Sequence, residues 1–166
     1  IDKIDMSKAL DLDYLQSVLE KLVEKNEILG EVVMFNQKDS LIISLPSDLL
    51  FQPGQAEVGV DGKRAIFSIG GVLSNIRNRI EIVGHTDPQP IESASAKYAT
   101  NRELSLQRAA HVAAMLSSVG YGKSVAVRGE GSNRYEEITS VTETQRLSIA
   151  RRVDIVVMKD DGSSRS

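Results

Sequence analysis

An arginine and an asparagine in a helical stripe that should face the core constrain this chain more than any other feature. At roughly 100° per residue, Asn101, Leu104, Ser105, Arg108, Val112, Met115 and Leu116 share one helical face. An apolar stripe turns toward a core, and Arg108 turns with it. A guanidinium is almost never buried without an anion to offset the lost hydration. The fold must therefore bring either a carboxylate of its own or a ligand's carboxylate to this helix. Just upstream, Ile80, Glu81, Ile82 and Val83 read as a strand that ends in Gly84-His85-Thr86-Asp87. Asp87 then stands past a strand's C-terminus beside a helix N-terminus, a common place for a ligand pocket.

The rest of the chain supplies the elements around this pair. Leu12, Leu15, Leu19, Leu22 and Val23 predict an amphipathic helix over 11–29, closed near Gly30. Val32 to Phe35 and Leu41 to Leu45 predict a β-hairpin, and Leu49-Leu50-Phe51 a loop with buried apolar anchors. Ile66, Ile69, Val72, Leu73 and Ile76 predict a helix over 62–77, although Gly70-Gly71 lies inside it. Pro88 to Thr100 is expected to be a loop. Thr100 and Glu103 have capping-box spacing for a helix running to about Ser118. Val125 and Val127 suggest a strand, Gly129 to Val141 is polar, Thr142 to Ala150 reads as helix, and Val153 to Met158 as a final strand. Strands alternating with helices imply an α/β fold, an α+β sandwich of helices on one sheet.

Composition narrows the function. The 166 residues are 41% hydrophobic, enough for one domain with a real core. Aromatic residues are only 4% and tryptophan is absent, which argues against a stacking platform for bases or sugars. The net charge of −3 gives no general attraction for nucleic acid, so none is expected as a partner. Without cysteine there is no thiolate catalysis and no thiolate zinc site. No run of 18 apolar residues occurs and the chain opens at Ile1, so a fragment is expected, with any membrane span upstream.

The chemistry of the residues themselves leaves two readings of Asp87 and Arg108. They clamp a zwitterion, the acid taking an ammonium and the guanidinium a carboxylate, or they form a structural ion pair between loop and helix. His85 and His111 lack metal-ligand spacing, so no metal or cofactor is expected. His85 is a candidate pH sensor reporting to Asp87, against the plainer reading of a histidine bonded to the adjoining loop. Gly122-Lys123-Ser124 lacks the first glycine of a phosphate loop, since residue 117 is serine. Arg146, Arg151 and Arg152 read as a solvated basic face offsetting Glu136, Glu137 and Glu143 unless one of them reaches the Arg108 pocket. No GxSxG elbow and no carboxylate pair with a visibly raised pKa points to an enzyme.

Gly84-His85-Thr86-Asp87 followed by Asn101-x-x-Leu104-Ser105-x-x-Arg108-Ala109-x-x-Val112 resembles the signature of OmpA-like peptidoglycan-binding domains. Leu45-Pro46, Leu49-Leu50-Phe51 and Gly54-x-Ala56 in front, and Arg151-Arg152-Val153-Asp154-Ile155 behind, extend the resemblance over roughly residues 40–158. The insert with Pro90-Ile91 and Lys97-Tyr98 looks more like the MotB subgroup than like Pal or OmpA. Two positions depart from the family pattern. Ala150 stands where asparagine usually precedes the double arginine, and Gly129-Glu130-Gly131 replaces a tyrosine-glycine turn.

The resemblance implies a βαβαβ-β mixed sheet over 40–158, with 1–39 as a helical and linker extension and 159–166 as a polar tail. It also implies non-covalent binding of the diaminopimelate of the peptide stem. Asp87 would take the ammonium and Arg108 the carboxylate, with Asn101, Leu104, Thr86 and Phe51 completing the wall and Arg151 contributing. The resemblance further implies the periplasmic domain of an inner-membrane protein in a Gram-negative bacterium. It implies, too, a homodimer that works with a MotA-like channel subunit, in a flagellar stator or a type I secretion accessory. A Pal- or OmpA-type structural anchor is the alternative, and a wall-acting enzyme the third.

Overall fold

The computed structural model describes residues 9–89, 100–139 and 141–162. In chain order the elements are α1 (Leu12–Lys25), β1 (Val33–Asn36), β2 (Ser40–Pro46), α2 (Ser47–Leu50), α3 (Val60–Leu73), β3 (Ile80–His85), α4 (Asn101–Val119), β4 (Ala126–Gly131), α5 (Glu143–Ala150) and β5 (Arg152–Met158). Single 3-10 turns occupy Glu27–Leu29 and Tyr135–Glu137. The strands form one mixed sheet in the order β1-β2-β5-β3-β4, antiparallel except for the parallel pair β3 and β4. That parallel pair needs a long crossover, and α4 supplies it. The expected α/β architecture of helices on a mixed sheet is the one observed.

Strand alternation builds the core. Register places Leu41, Val157 and Ile80 in one cross-strand row and Ile43, Ile155 and Ile82 in the next, all essentially inaccessible to water. Full burial of each such side chain contributes about 1.5–3 kcal/mol. The third row reads Leu45, Val153, Gly84. The apolar grid thus runs out at a glycine, at the end of β3 that leads to Asp87.

Helix boundaries depart from the sequence expectation in physically legible ways. The 11–29 helix breaks at Asn26, whose side chain accepts the Ile28 N–H and starts a separate 3-10 turn. α1 is capped by Asp11, whose Oδ1 accepts from Asp13 N and Tyr14 N at 2.9 and 3.1 Å. Its Leu12, Leu15 and Leu19 belong to the same apolar cluster as the sheet. α3 begins two residues earlier than its pattern and stops at Leu73. It tolerates Gly70 because α4 lies close there, with Val119 3.3 Å from where a Cβ would stand. Leu49-Leu50-Phe51 is no plain loop: Ser47–Leu50 closes one helical turn that buries Leu50 and delivers Phe51 inward. β4 continues through Gly129 to Gly131, into a stretch that the sequence marks only as polar. The loop expected over Pro88 to Thr100 lies mostly outside the described residues.

Candidate functional site

Helix α4 meets β3 and β4 backbone to backbone. Gly84 and Gly129 stand side by side in the β3–β4 register. A Cβ on Gly129 would fall 2.5 Å from Leu106 N and 2.7 Å from Arg102 O, and one on Gly84 would overlap the Ser105 carbonyl. Ser105 locks the approach. Its Oγ donates to Arg102 O at 2.9 Å and accepts the Gly131 N–H at 2.9 Å, while Gly131 O accepts the Thr86 N–H at 2.8 Å. Gly131 holds a φ of +54°, a left-handed conformation that favours glycine.

This packing sets the acidic corner. Thr100 caps α4 by accepting the Glu103 N–H at 3.1 Å. In the first turn the Asn101 amide donates to Asp87 O at 3.2 Å and Gln89 O at 2.8 Å, pinning the loop after β3. Asp87 is 6% exposed. Its Oδ1 accepts the Gln89 N–H at 2.9 Å, and its Oδ2 lies 3.3 Å from Arg151 Nε. The carboxylate is therefore held in one orientation from two sides.

Arg108 sits two turns along the same helix and is also 6% exposed. Its Nε donates to Gln55 O at 2.8 Å, its Nη2 to Gln52 O at 3.3 Å, and its guanidinium lies 4.7 Å from the centre of the Phe51 ring. The structural Asp87–Arg108 ion pair does not form. Among the described residues no carboxylate lies within ion-pair distance of Arg108, and Asp87 pairs with Arg151 instead. Burial lowers the Arg108 pKa to about 10, with Asp48 and Asp87 pulling it up and Arg151 pushing it further down. Carbonyls and an aromatic face hold this cation where a full counter-charge is missing. Leu104 is buried one turn before it.

The sequence pattern of the OmpA family matches residues 50–149, more than half of the chain. The chain belongs to the OmpA family. The fold is also that of a MotB-like protein from Desulfovibrio vulgaris, at 21% identity, a TM-score of 0.77, and coverage of 89% of this chain and 93% of that one. The cell wall anchor of the Pseudomonas aeruginosa type VI secretion system aligns at 22% identity and a TM-score of 0.72, covering 86% and 97%. The periplasmic domain of Helicobacter pylori MotB aligns at 23% and 0.68, covering 78% and 80%. The Bacillus subtilis protein YtxE, itself uncharacterised, is 24% identical over 163 residues, and the match spans 92% of this chain but 62% of YtxE.

Within this OmpA-family fold the three arginines of the C-terminal basic cluster part company. Arg151 reaches Asp87, so the cluster is not simply a solvated face. Arg152 lies 3.3 Å from Asp154, and Arg146 pairs with Glu136 at 3.2 Å and Glu143 at 3.8 Å. His85 also turns to a different partner from the one expected. Its Nε2 lies 3.3 Å from Asp154 Oδ2, both groups buried, and Asp154 rather than Asp87 is the carboxylate it meets. Burial favours the protonated acid at Asp154, but hydrogen bonds from His85 and Ser44 and the charge of Arg152 outweigh it and hold the carboxyl below its ordinary range.

Several contributors escaped sequence reasoning. Tyr135 is buried, its hydroxyl donates to Glu143 Oε1 at 2.5 Å, and Arg146 stacks 3.9 Å over its ring. The Glu143 bond, chiefly, raises the phenol pKa, and Asp87 adds to it through its charge. Tyr135 lies in a polar stretch without periodicity, which carries no signal of burial. Ser105 and Gly129 were visible as residues, but only a crossover helix in backbone contact with two strands explains them.

Proposed function

We propose that this domain binds peptidoglycan non-covalently and tethers a membrane complex to the cell wall. One observation carries the reading: among the described residues no carboxylate lies at ion-pair distance from the buried Arg108, while the buried carboxylate of Asp87 and the exposed one of Asp48 act on it only by charge. A ligand that brings a carboxylate and an ammonium on one carbon satisfies both Arg108 and Asp87, and the diaminopimelate of the peptide stem is such a group. Asp87 takes the ammonium and Arg108 the carboxylate. Asn101 fixes the loop that carries Asp87, and Phe51, Leu104 and Thr86 wall the pocket. A fixed cation and a fixed anion side by side are the makings of a binding site, which supports binding rather than turnover.

The host is read as an inner-membrane MotB-like protein of a Gram-negative bacterium, with residues 40–158 in the periplasm as the wall-binding unit, 1–39 as an extension and 159–166 as a tail. Its partners are then a MotA-like channel subunit and a second copy of itself, in a flagellar stator or a type I secretion accessory. Fold likeness to MotB-like domains and to a type VI wall anchor supports a tether for a trans-envelope machine over a Pal-type anchor. No helix among the described residues is long and apolar enough to cross a membrane.

Calorimetric titration with a soluble diaminopimelate-containing muropeptide tests the assignment. Saturable binding is expected for the wild type, and a loss of about tenfold or more for Arg108→Ala, with an unchanged circular dichroism spectrum. Equal affinity in a folded Arg108→Ala variant would remove the site.

A further inference from the structure

We infer that strand β1 seats a second copy of this chain, the two β1 strands pairing antiparallel about a two-fold axis at Met34. This names the surface for the second copy read above as a partner and rests on that part of the reading, not on what the Asp87 pocket binds.

An open sheet has two edges, and here they differ. An edge strand leaves a row of backbone N–H and C=O groups unpaired, and native chains guard it with charges or bulges. β4 is guarded. Its Arg128 lies 2.5 Å from Glu81 and 3.5 Å from Glu130, and the β3–β4 register breaks between Gly84 and His85. β1 has no such device. It reads Val33-Met34-Phe35-Asn36 without a charge, its register against β2 runs unbroken, and among the described residues no strand pairs with its outer side. Val33 and Phe35 are 49% and 53% exposed.

The hairpin fixes which groups point outward. The Gln37 N–H donates to Ser40 O at 2.8 Å. By the alternation of an antiparallel ladder, Phe35 and Val33 then spend their backbone groups on β2, while Met34 and Asn36 turn theirs away from it. Side chains alternate as well. Val33 and Phe35 share the face that carries the half-buried Ile42 and Val156, opposite the core rows of Leu41 and Ile43.

Charge selects the occupant and its direction. Glu31 and Lys38 bracket β1, both exposed, and among the described residues neither has an ion pair, since Asp39 holds Lys159 at 3.0 Å. Opposite signs at opposite ends of one strand are self-complementary when the second strand runs antiparallel, each Glu31 end then lying beside the partner's Lys38. Centring the axis on Met34 lets the two Met34 residues exchange their outward N–H and C=O groups. It also sets Val33 against the partner's Phe35 twice, in the non-hydrogen-bonded pairs where side chains approach most closely, an aromatic against a β-branched residue each time. Centring it on Phe35 instead would set Glu31 against the partner's Asp39, a like-charge pair. The Met34 register therefore wins, and Phe35, Ile42 and Val156 of both copies join in one apolar strip.

Sedimentation velocity of the wild-type chain is expected to show a concentration-dependent shift from one copy to two, and Met34→Pro and Phe35→Lys are expected to weaken it by about tenfold or more. Met34→Pro removes an N–H that faces away from β2, and Phe35→Lys changes an exposed side chain, so the circular dichroism of both should match wild type. Disulfides read the register, since the chain has no cysteine of its own. Opposed non-hydrogen-bonded residues stand about 4.5 Å apart at Cα, within the span of a disulfide. A mixture of Val33→Cys and Phe35→Cys is thus expected to cross-link about tenfold faster than either variant alone. Faster cross-linking of either variant with itself overturns the Met34-centred pairing. Undiminished association of both Met34→Pro and Phe35→Lys overturns this edge and leaves the second copy standing. Wild type that stays a single copy up to about 1 mM overturns both, and none of these results bears on the muropeptide titration of the pocket.

Discussion

At the scale of single residues the site is a study in charges that are held but not neutralised. The burial of Arg108 was legible from its place in a core-facing stripe, but the neighbours it has are carbonyls and the Phe51 ring rather than the anion expected. What sequence could not give was its present neighbours, since Pro53-Gly54 marks a turn but not that the carbonyls of Gln52 and Gln55 on either side of it face Arg108. The same limit applied to His85, which alternation along β3 turns toward Asp154 of β5. Asp154 yields a pH prediction. Its folded pKa lies below the ordinary value of about 4, so its stabilisation is full at neutral pH and is lost as pH falls through that lowered value. Asp154→Asn is expected to cost about 1–3 kcal/mol in urea unfolding at neutral pH. The gap from wild type should narrow below about pH 4. A gap independent of pH would show that the carboxylate's charge does not carry the effect.

At the scale of elements, the helices and strands with strong periodicity were readable, and their ends were not. α4 followed from its cap and stripe. Its depth on the sheet did not, because it depends on Gly84 and Gly129 meeting across two strands that are far apart in sequence. Gly129→Ala is expected to lower stability by about 1–3 kcal/mol, since the Cβ forces α4 away from β4. It should also weaken ligand binding, since Asn101 and Arg108 ride on that helix. Thermal unfolding and calorimetry on one preparation check both, and full stability with full affinity would contradict this account of the packing. Asn78 is a second device without a sequence signal. Fully buried, it accepts the Leu10 N–H at 2.8 Å and donates to Leu10 O at 3.0 Å and Met158 O at 2.9 Å, while the Tyr121 hydroxyl donates to its carbonyl at 2.5 Å. Asn78→Ala removes the three side-chain bonds, to the Leu10 N–H, Leu10 O and Met158 O, at about 1–3 kcal/mol each, and keeps the Tyr121 bond, which goes to the main-chain carbonyl. Hydrogen exchange in α1 is expected to rise more than exchange in β5.

Seen as a whole molecule, β3 joins the Asn78 cluster to the candidate site. Just before it Asn78 grips the incoming chain at Leu10, and just after it Asp87 opens the site, so roughly 20 Å of strand separates the two. β5 and β4 flank that strand on both sides. On the proposed reading, a load applied at Leu10 would reach Asp87 along hydrogen-bonded sheet. The extension is also part of the core, since Leu12, Leu15, Leu19 and Leu29 pack with the sheet. Leu15→Ala is therefore expected to cost about 2–5 kcal/mol in the whole domain's unfolding. A change confined to local melting of α1 would show the helix to be separable.

Co-sedimentation with purified peptidoglycan sacculi bears most directly on the central claim, with wild type, Asp87→Ala and Arg108→Ala run in parallel and their folding checked beforehand. The account predicts that wild type pellets with the sacculi, that soluble muropeptide releases it, and that both folded variants stay in the supernatant. Pelleting of either folded variant to the wild-type extent would contradict it.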